Sequence, residues 1–267
     1  MDSKKWQPSS FIKASAAIHV GSAAALIWPA AMELALACLA ANHAALTAAG
    51  LTPKSCLLGS NIRRMNTGRP EIALTLDDGP DPIVTPLVLD ILARHDIKAT
   101  FFCIAENVRK HPELARKIVA AGHDIENHSM LHRHHFSLLG KGGLKKELMA
   151  AQQTIEDIGG RKPRFFRAPA GLRNFFLDPV LHQLDLQLVS WTRRGFDTRE
   201  TDPKRIAERL LSGARAGDIL LLHDGNAARD DYGHPVVLQV LPQLIDDLTR
   251  RGLRFVTLEQ GMRVIAP

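Results

Sequence analysis

From residue 71 onward the chain alternates short apolar, β-branched runs with longer stretches of helical spacing, and this alternation narrows the possible folds more than any other feature. The runs fall at 71–76, 100–104, 124–127, 164–168, 186–191, 218–222 and 253–258. Between most of them lie helical patterns at 86–95, 112–121, 144–158, 203–214 and 236–251, several opened by a proline near the first turn and two closed by glycine. Strands that recur with helical crossovers pair in parallel, so the pattern predicts an α/β fold on a parallel sheet, either a barrel or an open doubly wound sheet. In both, chemistry gathers at the carboxyl ends of the strands. The polar residues follow that rule. Asp77 and Asp78 follow the first run, His128 and His132 the third, Arg167 ends the fourth, Asp197 trails the fifth and His223 ends the sixth.

Composition removes several function classes. Cys38, Cys56 and Cys103 form no C-x-x-C pair, so neither a disulfide framework nor a thiolate zinc site is signalled, and any metal must use nitrogen and oxygen. The net charge of +6 comes from scattered basic residues in a chain with one Tyr and three Trp, which does not point to a nucleic-acid partner. No protein partner is implied either.

The first part of the chain is of another kind. Residues 14–32 and 34–53 carry no formal charge, and each stretch approaches membrane-spanning length. They are rich in Ala and include His19, Asn42 and His43, so a buried helical pair is one alternative and a signal peptide behind Lys4 and Lys5 is another. The reading preferred here is a membrane-associated segment at 1–57 with helices at about 11–29 and 31–50, followed by a catalytic domain at 58–267. Lys4, Lys5 and Lys13 flank the first stretch, and Lys54, Arg63, Arg64 and Arg69 follow the second. Positive charge on both flanks favours a hairpin turning near residues 29–33, with the domain on the cytoplasmic side of a bacterial-type inner membrane. A single span would place the domain outside, in the periplasm, and the sequence leaves the side open.

The candidate site is built from pairs. His128 and His132, at i and i+4, can aim two imidazoles at one ion, but no Glu follows the first, which removes the zinc-protease reading. His134 and His135 read as a solvated basic edge. Asp77 and Asp78 sit side by side before Gly79-Pro80, and adjacent carboxylates repel unless a cation lies between them. One carboxylate with the two histidines completes a site of two nitrogens and one oxygen, open to water and substrate, and the other is then free to act as a base. Singly, each residue has a plain alternative: an Asp-Gly-Pro turn, a salt bridge at Arg167, a loop cap at Asp197, a core histidine at His223. All of these would have to hold at once.

Taken together, Thr75-Leu-Asp-Asp-Gly-Pro-Asp81, His128-Ser-x-x-His132, Arg167-Ala-Pro-Ala-Gly171, Asp197 six places after Trp191, and Leu220-Leu-Leu-His-Asp224 resemble, in order, the five motifs of the polysaccharide deacetylases of NodB type. The resemblance covers about residues 70–258 and implies an irregular (β/α)7 barrel. It implies that Asp78, His128 and His132 hold one divalent metal ion, Zn2+ foremost with Co2+, Ni2+ and Fe2+ also suited. It further implies that Asp77 is the general base and His223 the general acid, with Arg167 pinning Asp77 and Asp197 orienting His223. Pro169, Ala170, Gly171, Trp191 and Leu221 fall at substrate-facing positions, with a backbone N–H near Ala170 at the oxyanion and Leu221 beside the acetyl methyl. The expected activity is hydrolysis of an N-acetyl group on an amino-sugar polysaccharide or lipid-linked sugar. Alternatives are O-acyl ester hydrolysis, another amide, a non-catalytic glycan-binding relative, or an Fe(II) oxygenase on the same ligands. The chain departs from the pattern at Ala170, where an aromatic residue is usual, at Thr198, where Trp is usual, and at Arg193 and Arg194, where an acidic residue often lies. Two arginines there fit an anionic substrate, or simply pair with Glu200 or Asp202.

Overall fold

The computed structural model describes residues 5–263, so Lys4 and residues 264–267 lie outside the described part. Two N-terminal helices, α1 (Ser10–Ala25) and α2 (Met32–Leu51), precede the sheet. The strands are β1 (Glu71–Asp77), β2 (Thr100–Cys103), β3 (Asp124–Asn127), β4 (Phe165–Phe166), β5 (Gln187–Leu188), β6 (Arg193–Arg194), β7 (Ile219–His223) and β8 (Arg254–Phe255). The further helices are α3 (Val84–Arg94), α4 (Ala105–Lys110), α5 (Pro112–Ala120), α6 (Lys141–Gly159), α7 (Leu177–Gln183), α8 (Pro203–Leu211), α9 (Val236–Arg250) and α10 (Leu258–Met262). Every strand expected from the pattern is found. Helices α4, α7 and α10 were not expected, because segments of six, seven and five residues are too short to show a helical period.

All strand pairs are parallel, in the order β5-β4-β3-β2-β1-β7-β6, with β8 beside the start of β1. Both outer strands belong to one extended run of chain. It pairs with β4 at its beginning and with β7 at its end, so the sheet curls round into an incomplete barrel. Ile62 bridges Val189 across the remaining gap.

Strand β1 is buried along its whole length, and its alternation divides two layers. Ile72, Leu74 and Leu76 face outward into the layer formed with α3, α8 and α9, while Ala73 joins Phe102, Phe165, Val189 and Ile219 inside the curl. The outer layer is held by residues such as Val240, Leu241 and Leu244 of α9, each fully buried, and removing each such side chain from water contributes about 1.5–3 kcal/mol. On the inner face the same alternation puts Thr75 and Asp77 where the apolar lining ends.

Helices α1 and α2 pack on each other through small and polar residues. Ser15, Ser22, Ala35, Asn42 and Ala49 are buried, and Asn42 Nδ2 donates to Ser15 O at 3.2 Å. Ile18, Val20, Leu26, Ile27, Trp28, Met32, Leu34 and Leu36 point outward and are exposed. That is the reverse of a water-soluble hairpin, which hides its apolar stripe. Residues Pro29–Leu51 have a mean hydropathy of 1.6 and are long and apolar enough to cross a membrane. The foot of the hairpin is tied to the domain: Trp6 Nε1 donates to Asp178 Oδ2 at 2.7 Å and Arg173 N to Gly50 O at 3.1 Å. A Cβ on Gly50 would lie 2.3 Å from Arg173 O, so only glycine permits this approach. Between hairpin and domain runs a mainly apolar cleft lined by Ile12, Ala16, Leu46, Leu138 and Phe175.

Candidate metal centre and active site

The register of the sheet brings the expected residues together. Asp77 at the end of β1 pairs with Phe102 on one side and with His223 at the end of β7 on the other. Asn127 ends β3 one strand further on, and the loop after it carries His128 and His132. Arg167 follows β4 directly, and Arg167 N donates to Asn127 O at 3.0 Å.

Asp78, His128 and His132 converge on one point. Asp78 Oδ1 lies 3.2 Å from His128 Nε2 and 3.3 Å from His132 Nε2, and all three ligand atoms fit within 4.8 Å of one another. Ligands about 2.0–2.1 Å from a tetrahedral ion are about 3.3 Å apart, so the spacing fits a small divalent cation. Asp78 Oδ1 is buried without a well-aligned hydrogen bond, as expected of an oxygen whose partner is an ion. His128 Nδ1 donates to Arg167 O at 2.8 Å, which fixes the ring and leaves Nε2 for the metal. Asn226 Nδ2 donates to Asp78 Oδ2 at 3.2 Å, and Asn107 Nδ2 to Asp78 O at 2.9 Å. Burial works against the Asp78 carboxylate, but the imidazoles of His128, His223 and His132 beside it hold it well below the usual carboxylate range. This is a divalent-metal site with an anionic oxygen and two nitrogens. His134 and His135 are exposed and outside it.

Asp77 is held from behind. Arg167, 1% exposed, donates from Nη1 to Asp77 Oδ1 at 2.6 Å and to Thr75 Oγ1 at 2.8 Å, and from Nη2 to Ser190 O at 3.0 Å, while its guanidinium lies over the Phe102 ring at 4.0 Å. Asp77 Oδ2 remains on the metal side, 3.9 Å from His128 Nε2. On the other flank Asp197 Oδ1 accepts from His223 Nδ1 at 2.9 Å, and Asp197 Oδ2 accepts from His223 N at 2.7 Å. Burial disfavours the His223 cation, but the Asp197 carboxylate outweighs it and, with Asp77 and Asp78, pushes the pKa up to about 9. The imidazole is thus cationic at neutral pH and can donate a proton.

Pro169 and Gly171 are buried and Ala170 is exposed with φ of 54°. A Cβ on Gly171 would lie 2.6 Å from Pro53 and 2.8 Å from Trp191, so Pro53, just beyond α2, closes down on this loop. Trp191 and Leu221 are buried at 6% and 1% exposure. Of the eight non-glycine residues with positive φ among the described residues, Asp78, Ser129, His132, Ala170, Phe196 and Asn226 fall in or beside the segments that carry the site, and Asp96 and Asp185 lie elsewhere. Left-handed backbone at residues of this kind marks strain held by the surrounding structure. Arg193 pairs with Asp218 at 2.9 Å rather than with Glu200 or Asp202; Arg194 takes neither partner.

Sequence reasoning missed the supporting residues Thr75, Asn107, Asn226 and Asp224. Thr75 carried a usable signal, since i and i+2 on a strand share a face with Asp77. Asp224 lies against Gly79, takes a hydrogen bond from Thr85 Oγ1 at 2.6 Å, and is raised to about 7 by burial, with Asp78 and Asp77 adding to the rise. Nothing in the order of residues announces Asn107 or Asn226.

The geometry is that of a metal-dependent hydrolase. The polysaccharide deacetylase family model matches residues 64–189. A chitooligosaccharide deacetylase of Sinorhizobium fredii is 33% identical over 206 residues, covering 75% of this chain and 95% of that one. A peptidoglycan-N-acetylglucosamine deacetylase of Bacillus cereus is 32% identical over 72% of this chain and 88% of that one. Among solved structures, a family 4 acetyl xylan esterase of Clostridium thermocellum in complex with a cobalt ion is similar with a TM-score of 0.64 and 30% identity, over 71% of this chain and 89% of that one. The chain belongs to the polysaccharide deacetylase family.

Proposed function

We propose that the protein is a membrane-attached N-deacetylase that frees the amine of an N-acetylated amino sugar in a glycan or glycolipid. The observation that carries this reading is the placement of Asp77 and His223 on neighbouring strand ends, on either flank of the Asp78, His128 and His132 cluster.

Asp78, His128 and His132 would hold a divalent ion, which would supply Lewis acidity and lower the pKa of water toward neutrality. Asp77, with Oδ1 clamped by Arg167, takes the proton from the attacking water through Oδ2. A backbone N–H near Ala170 would take the developing oxyanion. His223, kept cationic by Asp197, gives its proton to the departing amine, which is otherwise a poor leaving group. Trp191 and Leu221 wall the acyl methyl, and the Pro169, Ala170, Gly171 turn borders the sugar. Zn2+ is the favoured metal because three nitrogen and oxygen ligands with tetrahedral spacing and an open position suit it, and Co2+, Ni2+ or Fe2+ can take the same place.

The hairpin of α1 and α2, within the segment 1–57, attaches the domain 58–267 to the membrane. Its apolar residues face outward, and both its ends lie on one side, together with Lys5, Lys13, Lys54 and Arg63. That arrangement favours the cytoplasmic face, with export as the alternative. The apolar cleft at the hairpin's foot fits the hydrocarbon part of a lipid-linked sugar. A second reading, O-acetyl ester hydrolysis, draws support from the similarity to an acetyl xylan esterase.

The test is acetate release by the full-length protein in detergent, with chelator, Zn2+ or Co2+, from a chitooligosaccharide, a lipid-linked N-acetyl sugar and an O-acetyl xylan. Metal-dependent release from an N-acetyl substrate is expected. Release from the ester alone would replace the amidase reading with the esterase one.

A further inference from the structure

On β6, which pairs with β7 beside Leu221, one arginine forms no ion pair among the described residues. Arg193, Arg194 and Arg209 lie together there with Phe196 and Thr192. Arg193 is bound to Asp218 at 2.9 Å and Arg209 to Glu200 at 2.9 Å. Arg194 forms no ion pair among the described residues, and its Nε is buried without a hydrogen-bond partner. A buried Nε without an acceptor is costly, and the side chain, only half-buried, stays open to a ligand.

Its direction is set by the sheet. Arg194 pairs in register with Leu221 of β7, and Arg193 with Leu220. Leu220 belongs to the outer layer, and Arg193 likewise turns outward to Asp218. Arg194 therefore faces inward beside Leu221, close enough to Arg167 for its charge to oppose Arg167 protonation. The guanidinium stands 5.4 Å from the Trp191 ring and 5.1 Å from the Phe196 ring, which hold its position without neutralising it. Phe196, 49% exposed, has φ of 62°, an unfavourable backbone for a bulky residue, and it directly precedes Asp197, which orients His223. A strained aromatic residue and an arginine without an ion pair thus stand together on the segment that leads to Asp197.

We propose that Arg194 anchors an oxyanion subsite, so that the amino sugar accepted by this enzyme carries a phosphoryl or carboxylate group which the guanidinium binds. The proposal rests on the amino-sugar reading of the site. Arg167 cannot take this role, because it is fully buried and committed to Asp77, Thr75 and Ser190. The planar donor fork of arginine matches both kinds of oxyanion, and the flanking rings restrict it to approach from the open side.

The test is calorimetric binding to the metal-free full-length protein in detergent, which does not depend on turnover. The probes are N-acetylglucosamine, N-acetylglucosamine 1-phosphate and N-acetylmuramic acid, which separate neutral, phosphoryl and carboxylate ligands. The wild-type protein is expected to bind at least one anionic sugar about tenfold or more tightly than the neutral one, with a preference that weakens as salt rises. Arg194→Ala should erase the preference and Arg194→Lys should keep part of it, with thermal melting confirming that both are folded. Equal affinity for all three sugars in the wild type, or an undiminished preference in a folded Arg194→Ala protein, would overturn the subsite. If the preference behaves as expected but no substrate is deacetylated, the subsite stands and the hydrolase reading fails.

Discussion

Replacing Arg167 by methionine probes the link between the sheet and the chemistry most directly. The side chain is buried to 1% exposure, and its loss leaves Asp77, at 3% exposure, as an unpaired buried carboxylate with Thr75 Oγ1 and Ser190 O also deprived of donors. Breaking a buried pair from one side costs about 3–5 kcal/mol. For a domain of this size each kcal/mol lowers the melting temperature by about 2–4 °C, which makes a fall of about 6–20 °C. Asp77→Asn should cost less, about 1–3 kcal/mol, because Arg167 keeps its carbonyl and hydroxyl acceptors and the Phe102 face. The distinguishing prediction concerns the double variant. With the charge on Asp77 removed, the methionine side chain leaves no stranded ion, so Arg167→Met with Asp77→Asn should be more stable than Arg167→Met alone. Calorimetric melting and urea unfolding of the chelator-treated protein measure all four corners of the cycle. Costs that simply add, or an Arg167→Met penalty below about 1 kcal/mol, would refute a role for Arg167 as the counter-ion of Asp77.

Three other outcomes follow from the geometry. In Asp197→Asn the carboxylate that contributes most to raising His223 to about 9 is gone, while burial still opposes the cation and Asp77 and Asp78 still favour it, so the pKa falls. Since His223 works as a cation, activity persists below its pKa and is lost as pH rises through it. The alkaline limb of kcat/KM should thus move to lower pH, and a limb that stays in place would remove His223 as the titrating acid. A bound metal offsets the part contributed by Asp77 and Asp78, so the wild-type limb lies at or below about 9. His128→Ala should lose both metal and turnover while Asp77→Asn keeps metal and loses turnover; elemental analysis showing full metal content in His128→Ala would refute the ligand assignment. Removing residues 1–57 should move the protein from the membrane pellet to the soluble fraction, and identical fractionation of the full and shortened chains would refute attachment through the hairpin.

The strands and the principal site residues were legible in the sequence for one reason: parallel strands place their carboxyl ends at one level, so the polar residue after each apolar run arrives at the same rim. Asp77, His128, Arg167 and His223 could be read in this way. The closure of the sheet could not. The run at 186–191 looked like one strand, yet the chain around it pairs with β4 at Gln187 and with β7 at Arg193, a division that depends on the curl of the whole sheet. Arg193 and Arg194 looked alike as neighbours, and only the register shows that one faces Asp218 and the other the interior. Asn226 and Asn107 support Asp78 from loops and helices far along the chain, where contact depends on tertiary packing and leaves no local signal.

The gathering of left-handed residues around the metal cluster sets chemical choice against conformational ease. Asp78, Ser129, His132, Ala170 and Phe196 occupy backbone angles that glycine or asparagine would accept at lower cost. Only the work of the site opposes such replacements. A lineage released from catalysis should therefore drift toward glycine and asparagine at these positions first, gaining stability while its sheet and core stay unchanged, and that drift would record the loss of activity in the backbone before any core residue had altered.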